Sequence, residues 1–398
     1  MRAANQDTMR LSPRRRWIGA AAAATVCGAA LLTPALASSG SSPVPPIGHV
    51  FVIVLENKGY GSTFANPPTQ DPYLAKTLVG HGALLTRYYG TGHESNDNYL
   101  SMISGQAPNP QTQFDCQSFT DFTGPGLTVS PGQAVGSGCV YPTSVKTVAD
   151  QLTAAGKTWK GYMQDMGNVT AREPAVCAHP AINAQDKTQS AAAGDGYATR
   201  HNPFVYFHTI IDSASECASH VVPLGDPSGA LPASAPPNTT GLATDLVTST
   251  PNLSFIVPNL CMDGHDYPCT NQTAPTASAL GDIDSFLKTW VPKIEGSPAF
   301  KKDGLLAIVF DESDGPQSDS TACCDEQPGP NSAMPGINGP GGGRTGAVLL
   351  SPFIAPGTVT TIGYNHYSLL ASIEQMFKLS RLGEAQTVPA TFGRDVYR

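Results

Sequence analysis

The chain has 398 residues, of which 40 are glycine, 35 are proline and only 14% are charged, with a formal net charge of −8. This composition excludes a coiled coil, which needs long heptads rich in leucine and charged residues, and the 40% hydrophobic content excludes a mainly disordered chain. Beyond the N-terminal segment, no apolar stretch reaches the ~18 residues that a membrane span needs. We therefore expect a globular protein with no integral membrane span once that segment is removed.

The first residues of the chain have the pattern of an export signal. Three arginines at 14–16 precede a run of small and apolar residues at 17–32, and the Ala-Leu-Ala at 35–37 fits the small-x-small cleavage site. The pattern predicts a signal peptide over residues 1–37 and a secreted protein. The arginine pair is typical of the twin-arginine route, with general secretion as the alternative.

Removal of this segment leaves 18 basic and 30 acidic residues, and hence a net charge of −12. So acidic a protein is not expected to bind nucleic acid or an anionic membrane through a broad basic face. Eight of the nine cysteines remain, and an even number in an exported chain predicts disulfide bonds. Two pairs are near in the sequence, Cys116 with Cys139 and Cys261 with Cys269. The full connectivity and the oligomeric state stay open.

Short apolar runs alternate with helical patterns along the rest of the chain. The continuous apolar and β-branched character of residues 49–55 predicts a strand covered on both faces, as in a parallel sheet. Further strands are predicted at 157–163, 253–257, 305–310 and 347–350. Helices are predicted at 95–105, 144–155, 279–291 and 367–379, with Ser95 and Ser144 as the first two N-caps and Pro292 just past the third helix.

This alternation predicts an α/β fold with a mostly parallel central sheet flanked by helices. We expect one domain over residues 48–398, preceded by a Ser/Pro-rich linker at 38–47. Two segments, 223–252 and 313–344, lack periodicity and predict long irregular loops, the second of them dense in glycine and proline.

Polar residues follow several of the predicted strands, where ligands bind in open α/β sheets. Glu56 and Asn57 follow the first strand, and Asp311 and Glu312 follow the strand at 305–310. Singly, each is also a common turn residue. Together they form an oxygen-rich set suited to a hard divalent cation, which would also offset the repulsion between the carboxylates. Nearby imidazoles would tolerate softer ions, so Mg²⁺, Mn²⁺, Ca²⁺ and Zn²⁺ all remain candidates.

Ser95 is the candidate nucleophile, because it lies at the start of a predicted helix. A helix N-terminus presents free N–H groups and the positive end of a dipole, and it attracts phosphate. A hydroxyl held there beside a cation would lose its proton more easily and attack phosphorus. The alternative is that Ser95 only caps its helix.

Six motifs occur in one order over most of the chain beyond the signal. They are HVFVIVLEN at 49–57, HESNDNYLSMISG at 93–105, HNPFVYF at 201–207, FIVPNLCMDGHD at 255–266, LAIVFDES at 306–313 and NHYSLLASIEQMF at 365–377. This series resembles the phosphoesterase family of bacterial acid phosphatases and phospholipases C, within the alkaline-phosphatase-like superfamily. The family's nucleophile motif usually reads His-Pro-Ser-x-Pro-Asn-Tyr. Here Glu94 and Asp97 replace the prolines, whereas Ser95, Asn98 and Tyr99 are retained.

The resemblance implies roles for particular residues. It implies a metal held by Glu56, Asn57, Ser95, Asp311 and Glu312, the last of which stands where the family often has Asp. It implies that Ser95 is the nucleophile and that His265 or His201 protonates the leaving group. The residues expected at the phosphate are Asn98, Asn57, His366 and Asp263. In relatives with two metals, residues such as Asp263, His265 and His366 would bind the second ion, whereas we expect one ion here.

The expected activity is that of an acid-phosphatase-type phosphomonoesterase with a phosphoserine intermediate. The shorter secreted members of the family include phosphatases of phosphatidylinositol 3-phosphate, so a phospholipid is a candidate substrate. A phosphodiesterase of the phospholipase C type is the alternative. A non-enzymatic secreted binding module is an alternative of another class, whereas a sulfatase is excluded because no Cys/Ser-x-Pro-x-Arg run occurs.

Overall fold

The computed structural model describes residues 44–65, 70–270, 278–324 and 326–398. The expected signal peptide and most of the expected linker lie outside these residues. Val44 and Ile47, at the end of that linker, pack against a hydrophobic core, and the described residues belong to one compact unit, Ser41–Arg398. Within the described residues, no helix has both the length and the apolar character of a membrane span.

The strands of the described residues are β1 (His49–Leu55), β2 (Ala83–Tyr89), β3 (Ser118–Phe119), β4 (Thr123–Leu127), β5 (Ala134–Ser137), β6 (Trp159–Met163), β7 (Ala184–Gln185), β8 (Val221–Pro223), β9 (Leu253–Val257), β10 (Gly304–Phe310), β11 (Ala347–Leu350) and β12 (Thr358–Asn365). Eight form one sheet in the order β12-β2-β11-β10-β1-β9-β6-β8. Only β11 in this sheet runs antiparallel to its neighbours, which confirms the mostly parallel sheet. Two small ribbons pair β3 with β7 and β4 with β5.

The α-helices of the described residues are α1 (Val79–His81), α2 (Ser95–Ser104), α3 (Val148–Ala154), α4 (His208–Ile211), α5 (Ala214–His220), α6 (Leu242–Thr248), α7 (Ala279–Gly296), α8 (Pro298–Asp303) and α9 (His366–Phe377). Short 3₁₀ turns occur at Thr112–Phe114, Thr199–His201, Pro203–Tyr206 and Gly383–Gln386, and π-helical turns at Gly61–Ala65 and Tyr73–Leu78.

Strand β1 shows why the sheet is covered on both faces. Its alternate side chains enter two different cores: Val52 and Val54 face one, and Phe51 and Ile53 face the other. A strand that buries both faces needs apolar residues at every position rather than at every second one. The continuous apolar run at 49–55 therefore places β1 in the middle of the sheet, between β10 and β9.

Three predicted helix boundaries were wrong. Glu94, not Ser95, precedes the first turn of α2, and α3 begins at Val148 because Thr147 and Asp150 form a capping box there. Helix α7 continues through Pro292 to Gly296. Val291 and Ile294 are buried on either side of that proline. We attribute the continuation to this burial, which offsets the ~3 kcal/mol that a proline costs inside a helix.

The two expected loops differ in structure. Segment 223–252 contains helix α6, whereas the described part of 313–344 contains neither helix nor extended strand. The expected disulfides Cys116–Cys139 and Cys261–Cys269 are formed, and Cys177 pairs with Cys217 and Cys323 with Cys324.

Candidate active site

The site lies where three neighbouring parallel strands end. Glu56 follows β1, Asp311 follows β10, and Asp263 lies in the loop after β9. The Glu56 N–H donates to the Asp263 carbonyl at 3.0 Å, and the Asp311 N–H donates to the Leu55 carbonyl at 2.9 Å. These backbone bonds hold the three carboxylates at one edge of the sheet, where the sequence predicts Glu56 and Asp311.

Glu56 holds the candidate nucleophile directly. Its Oε2 accepts a hydrogen bond from Ser95 Oγ at 2.9 Å, and its Oε1 accepts one from the Tyr99 hydroxyl at 2.6 Å. Ser95 is the first residue of α2 and Tyr99 lies one turn further, so both side chains face the same carboxylate. Glu56 and Tyr99 are fully buried, and Ser95 is nearly so.

The turn before Ser95 depends on Glu94, which replaces one of the family's prolines, and on the retained Asn98. Glu94 has φ 95°, a conformation that proline cannot adopt because its ring fixes φ near −65°. Asn98 closes this turn: its Oδ1 accepts from the N–H groups of Thr91 and Gly92, and its amide donates to the Gly92 carbonyl. Asn98 therefore shapes the backbone that presents Ser95.

Four side chains form what we call the inner cluster: Glu56, Asp263, Asp311 and His201. His201 Nε2 lies 3.5 Å from Glu56 Oε1, and His201 Nδ1 lies 3.2 Å from Asp263 Oδ2. The His201 ring stacks on Tyr99 with ring centroids 5.0 Å apart. All four side chains are buried. Within the described part of the chain, both His201 nitrogens, Asp263 Oδ2 and Asp311 Oδ2 lack a hydrogen bond.

Charge is crowded in this cluster. Burial raises the pKa of Glu56 well above its usual range, and the neighbouring Asp311 and Asp263 carboxylates raise it further. Burial also raises the pKa of Asp263 well above its usual range. Burial, with the nearby Arg200 and His265 charges, lowers the pKa of His201 well below its usual range. Burial thus keeps the pKa values of these carboxylates high and that of the imidazole low, although the Arg200 charge offsets part of the effect at Asp263.

Glu312 has different surroundings, which we call the Glu312 clasp. Its Oε1 accepts from Asn57 Nδ2 at 3.0 Å and its Oε2 from the Glu94 N–H at 2.6 Å, while His93 Nδ1 lies 3.2 Å from Oε2. Burial raises the pKa of Glu312 to about 7, although the neighbouring His93 lowers it. Asn57 and Glu312, which the resemblance places on the metal, are bonded to each other in this structure.

The remaining predicted histidines occupy two settings. His366 Nε2 donates to the Asp311 carbonyl at 2.6 Å, so its Nδ1 accepts from the Tyr88 hydroxyl at 3.0 Å. This buried ring therefore links the end of β10 to Tyr88 of β2, and both of its nitrogens are bonded to the protein. His265 is 29% exposed, and its Nδ1 donates to Asp266 at 2.7 Å because Arg200 donates to its Nε2 at 3.1 Å.

Arg200 is the main site residue that the sequence reasoning missed. It is fully buried, next to His201 in the chain, and lies 3.3 Å from Asp115 as well as beside His265. A buried guanidinium in a carboxylate-rich site is suited to bind phosphate oxygens. Its position directly before the HNPFVYF motif was the available signal, but only the fold brings this loop to the nucleophile.

The inner cluster fits a divalent metal ion. Glu56, His201 and Asp263 each offer one ligand atom within 4.8 Å of the others, and all three are buried. Buried carboxylates without hydrogen-bond partners are costly unless a cation or a donor completes them. The orphaned oxygens of Asp263 and Asp311 beside Glu56 meet that description. Carboxylates with one imidazole suit Mn²⁺ or Zn²⁺ as well as Mg²⁺, so the chemistry leaves the identity of the ion open.

Comparison with known proteins agrees with this geometry. The model of the Phosphoesterase family matches residues 64–380. The phosphatidylinositol-3-phosphatase of Mycobacterium tuberculosis is 22% identical over 349 residues, which cover 88% of this chain and 83% of that protein. The phosphate-repressible acid phosphatase of Penicillium chrysogenum is 26% identical over 376 residues, which cover 92% of this chain and 71% of that protein.

A solved structure of a protein in the alkaline phosphatase superfamily from Vibrio parahaemolyticus also matches. Its TM-score is 0.46 at 13% sequence identity, with 87% of this chain and 71% of that chain covered.

Proposed function

The chain belongs to the Phosphoesterase family and is a hydrolase of phosphoric esters, and on that premise we propose that it is a secreted, metal-dependent phosphomonoesterase that works through a phosphoserine. The observation that carries the proposal is the 2.9 Å hydrogen bond between Ser95 Oγ and Glu56 at the start of α2. A buried hydroxyl at a helix N-terminus, paired with a carboxylate, is arranged for nucleophilic attack on a phosphate.

The proposed metal ligands are Glu56, Asp311, Asp263 and His201, with Ser95 beside them. When bound, a divalent ion would neutralise the crowded carboxylates and stabilise negative charge on the phosphate and the Ser95 oxygen. Of the ligands that the resemblance implies, Glu56, Ser95 and Asp311 are retained in this proposal. Asn57 and Glu312 are assigned instead to holding the turn at Glu94, because Glu312 accepts from the Glu94 N–H and Asn57 donates to Glu312.

The protein's own groups account for the proton transfers. As Ser95 Oγ attacks phosphorus, its proton passes along the hydrogen bond to Glu56 Oε2. We assign protonation of the leaving oxygen to His265 Nε2, because this ring is the more exposed candidate and Asp266 fixes its orientation. Nε2 accepts from Arg200 in the structure and would carry the proton once Arg200 turns to the phosphate. Water then attacks the phosphoserine and gives its proton to His265, and Ser95 regains its proton from Glu56 as phosphate leaves.

The choice of a monoester rests on the relatives. The two relatives are named as phosphatases, and a phosphatase removes a terminal phosphate. The name of the Mycobacterium tuberculosis relative supports a phosphoinositide as one candidate substrate. The alternative is a phosphodiesterase of the phospholipase C type, and the assay must distinguish that activity from hydrolysis of a monoester.

The test compares the full chain with Ser95→Ala on an aryl phosphomonoester and an aryl phosphodiester. We expect the monoester to be preferred and Ser95→Ala to lower its hydrolysis by roughly 10⁴-fold or more, because the nucleophile is removed. Ser219→Ala, which changes an exposed serine on α5, is the matched control and should keep full activity. Retained turnover in Ser95→Ala would remove the phosphoserine mechanism, and a preference for the diester would favour the alternative.

A further inference from the structure

An exposed apolar surface lies beside the nucleophile. Phe114 is 69% exposed, Met334 is 48% exposed and Ile337 is 36% exposed. We call these three side chains the apolar mouth. They line a cavity of about 620 Å³ together with Glu94, Gln113, Pro316, Ser332 and Ala333. Large apolar side chains gathered around one cavity, rather than scattered singly, are typical of a binding surface.

The apolar mouth is tied to the turn that presents Ser95. Glu94, the residue before Ser95, lines the cavity itself. On one side, the Asn96 N–H donates to Asp115, the neighbour of Phe114, at 2.9 Å. Because Asn96 directly follows Ser95, this bond fixes Phe114 close to the nucleophile.

The loop on the other side of the cavity is held as well. The His93 N–H donates to the Pro335 carbonyl at 3.4 Å. The Gln113 side-chain amide donates to the Met334 and Pro335 carbonyls, both at 2.9 Å. The backbone beneath Met334 is therefore bonded to both the nucleophile turn and the segment that carries Phe114. These hydrogen bonds hold the apolar mouth in place beside the nucleophile turn.

The chemistry of the cavity selects its occupant. Its lining is mostly apolar, and Glu94 is the one acidic side chain among the described residues that line it. An uncharged hydrocarbon chain would bury its surface against Phe114 and Met334. On the proposed mechanism, the group that extends outward from a phosphate at Ser95 is the leaving alcohol.

We propose that the apolar mouth binds the hydrocarbon chain of the leaving alcohol, so that the preferred substrates are amphiphilic phosphomonoesters. This inference rests on the proposed function and names its substrate class. Each methylene buried in the cavity should raise kcat/KM roughly threefold to fourfold until the chain outgrows the cavity.

The experiment measures kcat/KM for n-alkyl phosphates from ethyl to octyl, below their micelle concentrations. The full chain is compared with the double variant Phe114→Ser/Met334→Ser. Val247→Ser, which changes a 76% exposed valine on α6, is the matched control. We expect a rising dependence on chain length in the wild type and the control, and a fall of roughly tenfold or more in the octyl-to-ethyl ratio in the double variant.

A second readout does not need turnover. The dissociation constants of ethylphosphonate and octylphosphonate are measured by calorimetry on the same three proteins. Tighter octyl binding that the double variant loses supports the inference even if no phosphate ester is hydrolysed, in which case only the proposed function fails. Equal binding of the two phosphonates by the wild type overturns the inference. An unchanged chain-length dependence in the double variant also overturns the inference. If that variant alters only the oligomeric state, the surface is an interface between copies of the chain and the inference is likewise overturned.

Discussion

The inner cluster and the Glu312 clasp lie at the same edge of the sheet, yet their carboxylates differ in how many of their oxygens accept hydrogen bonds from the protein. In the clasp, both Glu312 oxygens accept hydrogen bonds from the protein. In the inner cluster, Asp263 and Asp311 each keep one oxygen without such a bond, beside a histidine with two unbonded nitrogens. A satisfied carboxylate maintains local structure, whereas a group of unsatisfied ones indicates that something else is bound.

Two neighbouring acidic residues with the same sequence pattern belong to different regions of the site. Asp311 and Glu312 are adjacent, and both are acidic residues after a strand. Asp311 turns toward Glu56 in the inner cluster, while Glu312 turns toward Glu94 and the turn before Ser95. We therefore expect replacement of a carboxylate by an uncharged amide to have different consequences in the two regions.

The largest effect is expected for Glu56→Gln. Loss of this carboxylate removes both a proposed metal ligand and the acceptor of the Ser95 hydrogen bond, so we expect metal affinity to fall by at least ~10²-fold and activity to fall further. Removal of one of several crowded negative charges should raise the melting temperature of the chelated protein. The checks are metal titration and thermal unfolding with and without a chelator. Unchanged metal affinity would contradict the proposed ligand set.

A smaller effect is expected for Tyr99→Phe. The variant keeps the stacking on His201 but loses the 2.6 Å hydrogen bond to Glu56 Oε1. Groups that orient a metal ligand typically contribute 10–100-fold in affinity or activity. Steady-state kinetics over a range of metal concentrations measures this loss. A loss that excess metal fully restores assigns the hydroxyl to orienting the ligand, and wild-type kinetics would refute that role.

Glu312→Gln should affect stability more than chemistry. A glutamine presents one amide N–H₂ where Glu312 presents an acceptor, so one of the Asn57 and Glu94 donors loses its partner. We expect the free energy of unfolding to fall by about 1–3 kcal/mol and activity to fall less than in Glu56→Gln. Urea unfolding and metal titration measure the two quantities. A loss of metal binding equal to that of Glu56→Gln would return Glu312 to the metal site, as the family resemblance implies.

The smallest functional effect is expected for Asp71→Asn, at a buried carboxylate away from the site. Burial raises the pKa of Asp71 to about 7, and the Asp284 charge raises it further. Because the folded pKa lies above the unfolded value, the carboxyl costs stability as the pH rises from about 4 to 7. Asp71→Asn should therefore raise the melting temperature by roughly 2–4 °C at pH 8 and by much less at pH 4.5, with activity unchanged. An equal shift at both pH values would contradict the assignment.

The sequence alone determined the framework of the protein. Continuous apolar runs identify β1, β9 and β10, because a strand covered on both faces is apolar at nearly every position. The sheet edge where Glu56, Asp263 and Asp311 meet follows from those strands being parallel. Strand β12 was not predicted, because its edge position leaves Val359 59% exposed and its pattern mixed.

Only the tertiary structure decided which polar side chains complete the site. Arg200 and His201 come from a long segment between β6 and β8 with no periodic pattern, and only the HNPFVYF motif that begins at His201 connects this segment with the site. The bond between Asn57 and Glu312, and the commitment of both His366 nitrogens to Tyr88 and Asp311, depend on contacts between residues that are 55 to 278 positions apart. Local sequence encodes where a strand ends, whereas the partner of each side chain depends on how distant loops fold onto that end.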